Sequence, residues 1–278
     1  MTPMKTTTTR LAEMKRRGEP IVALTAYDAP TAALLDGAGV DVLLVGDSVG
    51  NVKLGYGNTL PVTVEEMLHH VRAVRRGNSR ALLVADMPYL SYELDPADAL
   101  RNAGRLIKDG GAEAVKLEGG LAVAPVIKEL LRVNIPVMGH LGLTPQAVNR
   151  LGGYKVQGRD PRDAERLVTD ARILEGAGIF ALVLECVPAD LAAAVTSKVS
   201  VPTIGIGAGP GCDGQILVVD DLLGLGASPA PSFVRRYADL RPVMEDAVRR
   251  YAADVRSRAF PGKAHSYGAA RPKARAAR

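Results

Sequence analysis

The chain repeats one pattern: a short run of branched aliphatic residues, a polar turn, then apolar positions at helical spacing. Runs suited to strands buried on both faces fall at 21–26, 41–46, 81–86, 114–118, 135–139, 180–185, 202–206 and 215–219. Between them, helical patterns occupy 29–38, 63–76, 96–109, 124–133, 144–151, 162–177 and 189–198. Asp28, Thr63 and Asp95 precede three of these as N-caps, and Gly39 and Gly110-Gly111 close two. In 63–76, Val64, Met67, Leu68, Val71 and Val74 form the stripe by which a helix faces a core. Eight strands alternating with helices predict an α/β fold, a (β/α)8 TIM barrel. A doubly wound sheet would not place polar groups after so many successive strands.

Two segments exceed what the barrel needs. Residues 1–20 form a polar arm with a short helix over Thr9 to Arg17. After the last strand, Phe233, Tyr237 and Leu240, then Met244, Ala247, Val248, Tyr251 and Val255, predict extended C-terminal helices, with Pro242 in the first turn of the second. Their apolar face either covers the barrel or docks on a neighbouring subunit, and the pattern leaves both open.

The strand ends carry the chemistry. Asp47, Asp86, Glu118, His140 and Glu185 each end an apolar run, at the end of a parallel barrel where active sites are built. Lys116 and Glu118 are two apart on a strand, as are Val183 and Glu185, so each pair points one way; a lysine would not face the apolar helix layer. Asp47, Asp86 and Glu118 therefore converge on the barrel mouth and would raise one another's pKa unless neutralised. A hard divalent cation resolves that conflict, and oxygen-only ligands favour Mg2+. The competing reading pairs the carboxylates with Lys116 and solvent.

Other features carry less. His69-His70 lie off the core stripe of their helix and read as solvated. His140 serves equally well as a hydrogen-bonded support or a catalyst. Cys186 adjoins Glu185 and by strand alternation points to the helices as a small apolar group. Gly205, Gly207, Gly209 and Gly211 form a loop able to cradle phosphate, without a P-loop or dinucleotide pattern.

Composition narrows the class. Hydrophobic residues make up 47% of 278, enough for one large core, while aromatics are only 4% with no Trp, which suits aliphatic strands over an aromatic-rich sandwich. The net charge of +5 is concentrated in Arg271, Lys273, Arg275 and Arg278; without them the body is close to neutral. We therefore divide the chain into one catalytic domain, 1–267, and a basic disordered tail, 268–278, and expect no nucleic-acid or membrane partner. Cys186 and Cys212 are too few for a disulfide framework, and no apolar run approaches a membrane span or a signal peptide, so the expected location is cytoplasmic.

Ordered motifs extend this reading. Thr25-Ala26-Tyr27-Asp28, Val45-Gly46-Asp47-Ser48, Thr59-Leu60-Pro61-Val62-Thr63 and Val115-Lys116-Leu117-Glu118-Gly119-Gly120 are followed by Gly139-His140-Leu141-Gly142-Leu143-Thr144-Pro145. Then come Gly152 to Arg159, Leu184-Glu185-Cys186-Val187-Pro188, Ile204 to Gly209, Asp213 to Val218 and Pro261 to Tyr267. With these blocks the chain resembles the ketopantoate hydroxymethyltransferases (3-methyl-2-oxobutanoate hydroxymethyltransferases) over almost its whole length. The resemblance implies a homodecamer of barrels in pantothenate biosynthesis. It implies transfer of a hydroxymethyl group from 5,10-methylenetetrahydrofolate to 3-methyl-2-oxobutanoate, giving 2-dehydropantoate and tetrahydrofolate. Carried over by motif, Asp47, Asp86 and Glu118 are the Mg2+-site residues; Asp47, Ser48, Asp86 and Lys116 contact substrate; and Glu185 is the proton acceptor. The nearest rival is another Mg2+-dependent α-keto-acid barrel enzyme, such as a carbon–carbon lyase of the isocitrate-lyase type. Such enzymes rely on a catalytic Cys loop, and neither cysteine here lies in that context. A non-catalytic binding barrel is the alternative of a different class.

Overall fold

Every predicted aliphatic run forms a strand. A computed structural model describes residues 4–226 and 230–268, and its strands are β1 (Ile21–Thr25), β2 (Val42–Val45), β3 (Leu82–Asp86), β4 (Ala114–Glu118), β5 (Val137–Gly142), β6 (Ala181–Glu185), β7 (Thr203–Ile206) and β8 (Gly214–Leu217). All pair in parallel in chain order, and β8 returns to β1 to close the barrel. β5 starts later and runs further than predicted, so His140 stands within a strand and pairs in register with Glu118 of β4 and Val183 of β6.

Helices Ala29–Gly37, Val64–Gly77, Pro96–Lys108, Ala124–Arg132, Pro161–Ala177 and Ala189–Lys198 follow strands β1 to β6. The caps are those the sequence predicts: Asp28 accepts from Thr31 N, Asp95 from Ala97 N, and Thr63 and Glu66 form a reciprocal capping box. Segment 144–151 is less regular than predicted, a 3-10 turn over Pro145–Ala147 followed by a single α turn, Val148–Leu151.

Alternation along the strands builds two apolar layers. Leu43, Val45, Leu83, Val115, Leu117, Leu182 and Leu184 face the helices. Val42, Leu44, Leu82, Val84, Ala114, Met138, Ala181, Val183, Ile204 and Ile216 fill the barrel. The arm helix, Thr8–Arg17, adds Leu11 and Met14 to that inner layer and so plugs the barrel floor. Each aliphatic side chain buried in this way contributes about 1.5–3 kcal/mol. With floor and walls filled, only the mouth at the carboxyl ends of the strands is left for polar groups.

The C-terminal region departs from expectation. Among the described residues of this region one long helix forms, Leu240–Ser257, with Pro242 in its first turn, followed by the short 3-10 turn Lys263–His265. Segment 230–239 is not helical, because Tyr237 N and Ala238 N donate to Leu222 O and Leu240 N donates to Leu223 O, pinning the chain to the turn after β8. That turn, Val219–Leu222, replaces the end of the predicted strand 215–219; Val219 N donates to Thr25 Oγ1 at 3.0 Å. No helix separates β7 from β8, and Val22 on the outer wall is 49% exposed. Of the basic tail, residues 269–278 lie outside the described residues.

Candidate active site

The predicted residues meet at the mouth. Leu82, Val84 and Asp86 alternate inward on β3, as do Ala114, Lys116 and Glu118 on β4 and Ala181, Val183 and Glu185 on β6. Asp47 arrives differently: β2 ends at Val45, and the turn through Gly46 swings Asp47 inward until its N–H donates to Asp86 Oδ2 at 3.1 Å. Gly46 leaves room there for the Ser48 hydroxyl, since a Cβ would stand 2.8 Å from Ser48 Oγ and force it to move. Gly142, with φ +94°, ends β5 so close to β6 that a Cβ would stand 2.2 Å from Glu185 O. Ser48 Oγ shares a 2.8 Å hydrogen bond with Tyr27 Oη.

Lys116 is the hub. Its Nζ lies 2.5 Å from Asp86 Oδ1, a close ion pair without the direction of a hydrogen bond, 3.8 Å from Glu118 Oε1 and 3.2 Å from His140 Nδ1. His140 continues the chain of contacts, with Nδ1 3.3 Å from Glu118 Oε1 and Nε2 3.3 Å from Glu185 Oε2, off the line of a hydrogen bond. Asp47, Ser48, Asp86, Lys116, Glu118, His140 and Glu185 all line one cavity of about 1070 Å³. A separate hollow of about 960 Å³ against Lys15, Val22, Gly207 and Gln215 on the outer wall carries none of them.

The electrostatics follow from burial. Asp47 is held well above the ordinary carboxylate range by burial, then by the Asp86 and Glu118 charges. Burial also raises Asp86, although Lys116 opposes it. Burial alone would raise Glu118, but His140 and Lys116 outweigh it and hold this carboxyl low. Lys116 is pushed up: burial disfavours its charge, but the Asp86, Glu118 and Asp47 charges win. Burial and Lys116 both disfavour imidazolium at His140, yet the Glu118 and Glu185 carboxylates at its two nitrogens carry it to about 9.

A residue without a sequence signal ties the cluster together. Gln146, buried in the turn after β5, donates through Nε2 to Asp47 Oδ2 at 2.8 Å and Met87 O at 3.0 Å, and through its backbone N to Glu118 Oε2 at 3.1 Å. Its Oε1 accepts from Tyr92 Oη at 2.7 Å, and Tyr92 Oη accepts from Glu118 N at 3.2 Å. A glutamine after Thr144-Pro145 has no periodic or capping signature, which is why the pattern passed over it. Two sequence expectations are corrected here. Cys186 lines the cavity instead of facing the helices, because its φ of +47° breaks the strand alternation on which that expectation rested; burial, then the Glu185 charge, pushes its thiol up to about 11. His70 is not simply solvated, since its Nδ1 lies 2.7 Å from Tyr27 O. Among the described residues, no three or more His, Cys, Asp or Glu side chains are arranged as a ready-made metal cage.

Residues 5–263 match the family model described as ketopantoate hydroxymethyltransferase. The chain belongs to this family. Two proteins named 3-methyl-2-oxobutanoate hydroxymethyltransferase show how uniform the similarity to ketopantoate hydroxymethyltransferases is. That from Geotalea daltonii is 56% identical over 262 residues, covering 94% of this chain and 98% of the relative. That from Carboxydothermus hydrogenoformans is 55% identical over 263 residues, covering 95% of each. Among solved structures, a putative phosphonomutase from Burkholderia cenocepacia superposes with a TM-score of 0.60 at 16% identity, covering 90% of this chain and 98% of that one. A phosphonopyruvate hydrolase in complex with oxalate and Mg++ gives 0.60 at 14%, covering 94% and 93%. At such identities these structures share the barrel. The sequence blocks that carry the resemblance fall on the mouth: Val45–Ser48 at the end of β2 and the turn after it, Val115–Gly120 on β4 and just beyond, Gly139–Pro145 on β5 and its turn, and Leu184–Pro188 at the end of β6.

Proposed function

We propose that this chain transfers a hydroxymethyl group from 5,10-methylenetetrahydrofolate to 3-methyl-2-oxobutanoate, forming 2-dehydropantoate and tetrahydrofolate in pantothenate biosynthesis. The observation that carries the reading is the line Asp86–Lys116–His140–Glu185 across one cavity, in a chain of this family. It joins an anion-binding cation to a carboxylate placed to take a proton. Relatives near 55% identity favour this activity over the lyase reading, which rests on barrels below 20% identity.

The residues fit Mg2+ with help from substrate. Three buried carboxylates face one lysine, so negative charge is in excess even with Lys116 Nζ paired to Asp86 Oδ1. Mg2+ is commonly held by one or two carboxylates, with substrate and water completing its shell. Asp47 and Asp86 would serve as direct ligands. Glu118, whose oxygens face Gln146 N and His140 Nδ1, fits an indirect contact better. The cation would supply Lewis-acid polarisation of the keto oxygen.

The protein's own groups account for the rest. Lys116 neutralises and orients the substrate carboxylate, with Asp47, Ser48 and Asp86 beside it. Glu185, at the end of β6, accepts the C3 proton, and the resulting carbon nucleophile attacks the folate-borne one-carbon unit; the bonds from that carbon to the folate nitrogens break to release tetrahydrofolate, and water supplies the hydroxyl oxygen. His140 backs Glu185 at 3.3 Å and orients it. We assign catalysis to residues 1–267 and none of it to the basic segment 268–278.

The protein also fits assembly into a homo-oligomer, a decamer by family resemblance. Helix Leu240–Ser257 buries none of its residues against its own barrel and exposes Val243, Met244, Val248, Tyr251 and Val255. We propose a cytoplasmic location; among the described residues no helix is long and apolar enough to cross a membrane. The decisive experiment incubates the protein with the keto acid, Mg2+ and 5,10-methylenetetrahydrofolate and follows products by NMR. Formation of 2-dehydropantoate with tetrahydrofolate is expected; cleavage of a carbon–carbon bond, or no turnover, would overturn the reading.

A further inference from the structure

The cavity is larger than a small keto acid requires. At about 1070 Å³ it stands at the upper end of what drug-sized ligands occupy. The buried side-chain atoms without hydrogen-bond partners among the described residues are Thr59 Oγ1, Asn78 Oδ1, Asp86 Oδ1, Ser91 Oγ, His140 Nε2 and Asp220 Oδ2. Thr59, Asp86, His140 and Asp220 line this cavity; Asp86 Oδ1 is ion-paired with Lys116 and His140 Nε2 faces Glu185, which leaves Thr59 Oγ1 and Asp220 Oδ2 without a partner there. Asp86 and His140 belong to the cluster around Lys116; Asp220 does not.

Asp220 sits on the turn after β8 and is 4% exposed. Lys53 Nζ holds its Oδ1 at 2.7 Å, which fixes the carboxylate and leaves Oδ2 as a buried acceptor lacking a donor. Such an oxygen is costly until a ligand supplies the hydrogen bond. Because β8, β1 and β2 are neighbours, the strand ends leading to Asp220 and Asp47 are two inter-strand spacings apart, roughly 10 Å. Tyr27, after β1, lies between them: burial first, then the Asp220 and Asp47 charges, push its hydroxyl up. Tyr56, Leu217 and Phe233 line the same cavity as Asp220 and give it apolar wall.

We propose that Asp220 recognises the one-carbon donor, its Oδ2 accepting hydrogen bonds from the amino-pyrimidinone edge of a reduced pterin. This rests on the folate reading above and adds the end of the cavity at which the folate is read. That pterin edge presents a ring N–H and an amino group side by side, two donors suited to a carboxylate. The keto acid has the opposite chemistry, an anion without N–H donors. It cannot supply the hydrogen bond that Asp220 Oδ2 lacks, so donor chemistry sorts the two substrates to opposite ends. The one-carbon unit then lies between them, facing C3.

The test is a direct binding measurement on the full chain. Asp220→Asn keeps the side chain's size and replaces one acceptor oxygen by a donor; Asp220→Ala removes both. Calorimetric titration with tetrahydrofolate should show Kd raised about 10- to 100-fold in both variants. Keto-acid binding in the presence of Mg2+ should stay within about twofold of wild type, because the residues that hold it are elsewhere. Unchanged tetrahydrofolate affinity in Asp220→Asn would overturn the assignment. Equal loss of both ligands would also overturn it, by showing a structural role. A wild type that binds the keto acid but no tetrahydrofolate would instead sink the folate reading itself, and this assignment with it.

Discussion

Gln146 Nε2 donates to Asp47 Oδ2 at 2.8 Å, joining the turn after β5 to the turn after β2 across the barrel mouth. The same residue's backbone N holds Glu118 Oε2. One glutamine therefore orients two carboxylates on different strands, and Met87 O and Tyr92 Oη fix which way its own amide faces. Gln146→Leu should leave Asp47 and the Tyr92 hydroxyl each short of a partner, at a cost of about 1–3 kcal/mol. Mg2+-dependent keto-acid binding should weaken about tenfold or more, and Gln146→Glu should weaken it further by adding a carboxylate to three. Calorimetry on both variants is the check; wild-type affinity in either would remove Gln146 from this role.

Asp47→Ala and Asp86→Ala should abolish Mg2+-coupled keto-acid binding while the barrel still folds. Both carboxylates project into the cavity and not into either apolar layer. Circular dichroism should be unchanged, and calorimetry with Mg2+ plus keto acid should show no coupled binding. Retained coupling in one variant would exclude that residue as a ligand.

Glu185→Gln separates proton transfer from binding. The amide keeps the size of the side chain beside His140 but cannot accept the C3 proton as a carboxylate does. Turnover should fall about 10²–10⁴-fold with keto-acid binding retained. Exchange of the C3 proton with deuterated water, followed by NMR before folate is added, reads the step directly. Exchange at the wild-type rate would move the role to another group, His140 first.

Asp36 illustrates a carboxylate whose work is structural. From the last turn of helix Ala29–Gly37 it accepts hydrogen bonds from Ser79 N, Ser79 Oγ, Arg80 N and Ala81 N, at 3.2, 2.7, 3.0 and 2.6 Å, and so clamps the entry to β3. Burial pushes its pKa up, but these bonds outweigh burial and hold it below the ordinary carboxylate range. With the folded value below the unfolded one, its stabilisation is complete above the unfolded pKa and fades as pH falls through the folded one. Asp36→Ala should cost about 1–3 kcal/mol at neutral pH. Thermal melts should show the gap to wild type narrowing below roughly pH 4; a gap independent of pH would refute the clamp.

The exposed stripe on helix Leu240–Ser257 predicts self-association. The wild type should sediment as an oligomer, and charges placed within the stripe by Val248→Asp with Tyr251→Asp should yield smaller species. A monomeric wild type, or a variant of unchanged mass, would count against this helix as an interface.

Strand order, helix caps and the direction of Lys116, Glu118 and Glu185 follow from the sequence alone. Hydrophobic alternation has a period of two, and a lysine on an inward position of a buried strand has only the mouth to occupy. Asp86 obeys the same parity. Asp47 does not, because on the parity of Val42 and Leu44 it would face outward; the turn through Gly46 brings it in. Cys186 was misplaced for the same reason, since φ of +47° ends the alternation one residue after Glu185. Gln146, Tyr92 and Lys53 could be placed only by the tertiary structure, because hydrogen bonds between distant turns leave no local periodicity. Helix Leu240–Ser257 shows the remaining boundary: its amphipathic stripe is local and was readable, but its failure to pack on its own barrel depends on where the segment after β8 is anchored.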